Sequence, residues 1–168
     1  MSILTPNDFD NGRFAIAINP NQTIDLQLTI DYVERTFLPK LFGVELYDLF
    51  IANLAALPLS TRFEFVYNTF NYKKSVNHKM VHSEGIKTML KAFTYYLYVR
   101  GTTSTQTTVG IKQSQSDNSE NVSAIHHGIT LMYNDGVETF KAIQFYMISN
   151  KATYSEYDGE NIRYNHAL

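Results

Sequence analysis

The sequence predicts a mainly α protein, a small bundle of about four helices whose last helix is long. Three observations predict it. Apolar residues recur at steps of three and four in four separate runs, the period of a buried helix face. Pro20, Pro39, Gly43, Pro58 and Gly101 fall between or at the ends of those runs. The 168 residues are 44% hydrophobic and 18% charged, a globular composition with enough chain for one core that needs no staple.

Residues 1–22 read as an N-terminal arm punctuated by Pro6, Gly12 and Pro20. Phe9, Phe14, Ile16 and Ile18 give it apolar surface with which to dock. The first helix starts near Thr23 as N-cap, with Asp25 in the first turn where the helix dipole favours an acid. Its stripe is Leu26, Ile30, Val33 and Phe37, and Pro39 stops or kinks it at Leu38. Gly43 marks a turn, and a second helix follows from about Val44 to Leu57 with Tyr47, Phe50, Ile51 and Leu54 as its stripe.

Residues 59–82 fit two patterns. Phe63, Phe65 and Tyr67 alternate as in a strand, while Arg62, Val66 and Phe70 suit a short helix. The third helix, Ser83 to Arg100, has Ser83 as cap, Ile86, Leu90, Phe93 and Leu97 as stripe, and Gly101 as terminator. Residues 101–121 form an arm. Its first half carries five Thr between Thr102 and Thr108 and no charge through Ile111, and its second half is polar. Thr and Val favour strands, so a protruding polar loop or β-hairpin at about 102–118 competes with a plain linker. The last helix, Glu120 to about Ser149, is some 45 Å long at 1.5 Å per residue. Gly128 and Gly136 inside it mark a bend or a close helix contact. Residues 151–168 make an acidic C-terminal tail with Tyr154, Tyr157, Ile162 and Tyr164, either docked or frayed.

Charge is segmented. Residues 1–64 hold eight acids and four bases, residues 65–112 one acid and seven bases, and residues 113–168 seven acids and three bases, together the chain's net −2. Two readings stand: the segments pair within one subunit, or a basic face built on Lys73, Lys74, Lys79, Lys87 and Lys91 meets an acidic face on a neighbour. A third reads the lysines of 73–91, near Tyr67, Phe70 and Tyr72, as a nucleic-acid patch.

Catalytic and metal chemistry finds little support. Without Cys there is no thiolate site or disulfide. Asp8, Asp10 and Gly12 lack the spacing and the closing Glu of a calcium loop. His78 and His82 lack the glutamate and third ligand of a zinc helix, and His126 and His127 diverge by about 100° on a helix. No Walker, G-x-G-x-x-G or G-x-S-x-G motif occurs. The reading is therefore not an enzyme and no cofactor. The first residues lack the basic n-region and apolar run of a signal peptide, and no run approaches the ~18 apolar residues of a membrane span. A soluble, intracellular domain is the expectation.

The order of segments carries a resemblance. An LTPNDF arm precedes a helix ending in FLPKLFGVELYDLF, then come GIKTMLKAFTYYLYVRG, the excursion TTVGIKQSQSDNSENVS, and a long helix reaching IQFYMIS. This resembles the head–tail connector (adaptor, or neck ring) proteins of tailed bacteriophages, in particular the ring proteins of crAss-like phages, over roughly residues 4–150. The resemblance implies a single helical connector domain at 1–150 and about twelve copies in a ring under the portal. Genomic DNA would pass through the central channel without sequence-specific binding. Partners would be further copies of itself, the portal protein and other neck or tail proteins, with no membrane. The chain would reside at the virion neck, and in the host cytoplasm during assembly. Thr107, Thr108, Val109, Gly110, Ile111 and Lys112 would lie in an arm touching neighbours or the portal. Apart from the resemblance, which stops near residue 150, the tyrosine-bearing tail suggests docking to tail components through Tyr154, Tyr157, Ile162 and Tyr164, and the segmented charge suggests an inter-subunit face on the five lysines. A tail-completion or tail-terminator ring component and a nucleic-acid-binding regulator are the alternatives.

Overall fold

In the computed structural model the chain is mainly helical. The structure describes residues 2–17, 22–73, 80–107, 110–113 and 120–158, with the backbone alone for 103–107, 110–113 and 120–126. Five α-helices occur among the described residues: α1 Thr23–Phe42, α2 Val44–Ala55, α3 Thr61–Tyr67, α4 Gly85–Thr103 and α5 Glu120–Ser149. Two antiparallel hairpins join them: β1 Phe70–Lys73 with β2 Met80–Ser83, and β3 Ser104–Thr107 with β4 Gly110–Gln113.

The α4–α5 pair is the backbone of the body, with α1 laid on α4 and turned into α2. The ring of Phe37 on α1 stacks on that of Phe93 on α4 at 4.3 Å between centroids. Behind Phe93 lies Gly136 of α5, where an added Cβ would come within 2.9 Å of the Phe93 ring and 3.0 Å of the Ala92 methyl. The glycine in the long helix is thus a close helix contact. It costs about 1 kcal/mol of helix propensity relative to Ala and lets an aromatic ring fill the space instead.

Several boundaries differ from the sequence expectation, and α2 ends at Ala55 rather than Leu57. Thr23 is the first residue of α1 rather than its cap, and α1 runs through Pro39 to Phe42. A proline within a helix forfeits about 3 kcal/mol, but Leu38, Leu41 and Phe42 in the same turn are all buried and offset it. Residues 59–82 resolve the two competing patterns in sequence: a short helix to Tyr67, then hairpin β1–β2. Aromatic packing decides this. Phe63 meets Phe50 at 5.4 Å, while Phe65 and Phe70 meet Tyr146 of α5 at 4.5 and 5.1 Å. Finally, Ser83 ends β2 instead of capping α4, and its hydroxyl accepts the Gly85 N–H at 3.1 Å. Helix α4 then passes through Gly101 to Thr103.

The long helix occupies the expected Glu120–Ser149, and of the arm expected at 102–118, Thr102 and Thr103 belong to α4 while Ser104–Thr107 and Gly110–Gln113 form a hairpin. The core extends beyond residue 150. Tyr154 is fully buried, and its hydroxyl donates to the Arg62 carbonyl at 2.7 Å. Burial pushes its phenol far above the usual tyrosine range. Arg62 also pairs with Glu156 at 3.0 Å, closing the turn after α5 onto α3.

Candidate interaction surface

The N-terminal arm is fastened first. Leu4 and Phe9 are fully buried and Phe14 nearly so. The Glu34 carboxylate of α1 accepts the N–H groups of Ile3 and Leu4 at 2.9 and 2.8 Å and the Ser2 hydroxyl at 3.0 Å. Burial raises the Glu34 carboxyl; these hydrogen bonds lower it without cancelling the rise. Further along, Asp8 accepts the Thr5 N–H at 2.9 Å and lies 2.7 Å from the Lys87 ammonium and 3.9 Å from that of Lys91. Partial burial pushes Asp8 up, but Lys87, the Thr5 N–H and Lys91 outweigh it and hold the carboxyl below its ordinary value. Arg13 ties the end of the arm to Asp135 of α5 and to Glu84.

These bonds redistribute the lysines. Lys87 and Lys91, one turn apart on α4, are engaged by the subunit's own arm rather than held out for a neighbour. Lys73 stands apart on the outer face of β1, exposed, and Lys74 and Lys79 lie outside the described residues. Of the five, the three described are divided between α4, where Asp8 engages two, and β1. Of the arm residues, Thr107, Gly110, Ile111 and Lys112 belong to hairpin β3–β4, where Thr107 pairs with Gly110, Gln106 with Ile111 and Thr105 with Lys112. Thr108 and Val109 lie outside the described residues. Tyr154 and Tyr157 are spent in the subunit's own core, because the chain turns back after α5 and lays both rings against it; Ile162 and Tyr164 lie outside the described residues.

Spacing alone missed the outer face of α1. Ile24, Leu28 and Tyr32 are 68, 62 and 51% exposed. At steps of four they form one stripe, and at 100° per residue it points directly away from Leu26, Ile30, Val33 and Phe37. The signal was present: 24, 26, 28, 30 and 32 are all apolar, and alternation on a helix sends the two sets to opposite faces. Asp25 and Asp31 flank the stripe, one on each side. Such a helix, apolar on both faces, is expected to be covered on both.

Among the described residues no three His, Asp or Glu side chains gather as metal ligands. The Nδ1 of His82 lies 2.9 Å from Asn71 Oδ1, and His78 lies outside the described residues. None of the described helices is long and apolar enough to cross a membrane.

Residues 38–164 match the model of a family described as a family of unknown function (DUF6712), and the chain belongs to that family. No curated protein and no solved structure matches the chain.

Proposed function

We propose that this member of DUF6712 is a structural virion protein, a subunit of the head-to-tail connector ring that joins the portal to the tail and surrounds the DNA channel. The observation that carries the reading is the outward apolar stripe of α1, which the subunit's own described residues do not cover. A monomeric protein has little use for it, whereas a ring subunit has a neighbour on each side. Two further features support the reading. The segment FLPKLFGVELYD, on which the resemblance rests, forms the corner between α1 and α2, and TTVGIKQSQSDNSENVS spans the end of β3, β4 and the start of α5. The hairpin β3–β4 follows directly on the end of α4, with Lys112 as the one charge among its described residues, and such an arm suits contact with a neighbouring subunit or the portal.

The mechanism is mechanical. Copies join head to tail, the contact closes into a ring of about twelve, and the hairpin arms clamp the ring to the portal. Genomic DNA passes through the hole without base readout. The nucleic-acid-regulator reading loses support because Asp8 engages both Lys87 and Lys91 and cancels one of their two charges. Mass photometry of the full chain with the portal protein of its phage tests the proposal. A portal complex gaining about twelve subunits is the expected result. Indifference to the portal moves the chain to a lower ring or to tail completion. Steeply salt-dependent DNA binding in place of portal binding overturns the connector reading.

A further inference from the structure

Two described surfaces of the subunit complement each other. One is the stripe Ile24, Leu28 and Tyr32 flanked by Asp25 and Asp31. The other is the outer face of hairpin β1–β2. Phe70, Tyr72, Val81 and Ser83 turn inward, so Asn71, Lys73, Met80 and His82 turn outward. Met80 is 66% exposed and sits directly across from Lys73 in the register. This outward face carries a lysine and a flexible thioether and no carboxylate among its described residues. Asp25, Asp31 and Lys73 have no ion-pair partner among the described residues. The lengths agree: Ile24 to Tyr32 spans about 12 Å of helix at 1.5 Å per residue, and a four-residue strand spans about 10 Å.

We propose that the β1–β2 hairpin of a second copy seats on the outer face of α1, with Met80 on the stripe and Lys73 drawn to the aspartates at its edges. A soft methionine adapts to such a ridge, and the buried lysine–aspartate contact fixes the register. The hairpin packs on α5, whereas the stripe faces away from α4, so the two patches are different parts of one subunit. Their union is heterologous: a joined pair keeps one free stripe and one free hairpin, and the contact propagates until it closes. The inference rests on the ring reading and names the seam between its subunits.

Charge exchange tests it on the full chain, by sedimentation velocity across a concentration series. The wild-type chain should associate. Lys73→Glu alone, or Asp25→Lys with Asp31→Lys, should weaken association by about tenfold or more, since each brings like charges together. Mixing the two variants, or combining all three substitutions in one chain, should restore it, and a misfolded variant would not be rescued in this way. Leu28→Ala should weaken association while leaving the circular dichroism melt unchanged. A wild-type chain that stays monomeric up to about 1 mM overturns the seam, and so does association that ignores the charge exchange. Either result leaves the portal experiment free to support the ring through another seam. Conversely, rescue by charge exchange together with steeply salt-dependent DNA binding in place of portal binding keeps the seam and overturns the connector reading.

Discussion

The two faces of α1 have nearly the same chemistry and opposite fates. Leu26, Ile30, Val33 and Phe37 are buried against α4 and their neighbours, while Ile24, Leu28 and Tyr32 on the same 20-residue helix stand in solvent. Intrinsic apolarity does not separate them; position around the axis does. Burial of the inner set stabilises the subunit. The outer set adds nothing to a lone subunit, so its value lies in what covers it. The comparison teaches that, in this protein, apolar residues report two different kinds of contact, and only one of them holds the subunit's fold.

Truncation on each face sharpens the contrast. Phe37→Ala removes the ring stacked on Phe93 and should cost about 3–5 kcal/mol, read as an urea midpoint shift at unchanged slope. At the border of the inner face, Glu34→Ala strands the N–H groups of Ile3 and Leu4 and should cost about 1–3 kcal/mol, with earlier amide exchange in residues 2–9. Across the core, Gly136→Ala forces the added methyl into the Phe93 ring. Even after a gain in helix propensity it should cost about 1–2 kcal/mol by thermal melting. Leu28→Ala, on the outer face, should stay within about 0.5 kcal/mol of the parent. A loss of stability at Leu28 comparable to that at Phe37 would break the comparison.

Titration adds a smaller test. The Glu34 carboxyl is raised in the folded subunit, so the fold binds its proton more readily than the unfolded chain does. Its contribution is therefore complete below the unfolded value of about 4.3 and is lost as pH rises through the folded value. Asp8 runs the other way: its carboxyl is lowered, and its contribution is present above the unfolded value and lost as pH falls through the folded one. The stability difference between the parent and Glu34→Gln should shift in favour of the parent as pH falls from 7 toward 4, whereas that between the parent and Asp8→Asn should shift against it as pH falls on below about 4. Denaturant titrations at several pH values measure both slopes.

Most of the helices could be read in the sequence because their apolar residues keep a period of three and four; α5 was placed at both ends on that basis alone. The helix α3 and hairpin β1–β2 could not. Arg62, Val66 and Phe70 suit a helix while Phe63, Phe65 and Tyr67 suit a strand, and the tie is broken by Phe50 and Tyr146, which are distant in sequence. The arm lock was equally invisible, since Glu34 binds backbone groups some 30 residues earlier through a contact that leaves no spacing signal. The outer stripe was readable in the alternation from 24 to 32, but a search for one buried face passes over the second.

Gly85, at the corner where β2 becomes α4, has φ +85°, and a Cβ there would lie 2.4 Å from the Tyr67 carbonyl oxygen. Both the dihedral and the collision are with backbone, so no repacking of side chains relieves them. In terms of mutational tolerance this corner is a fixed point. A saturation library selected for folded subunits should return glycine alone at 85, even while Ile24 and Leu28 drift, and the pivot that aims the β1–β2 hairpin stays constant while the surface it meets is free to change.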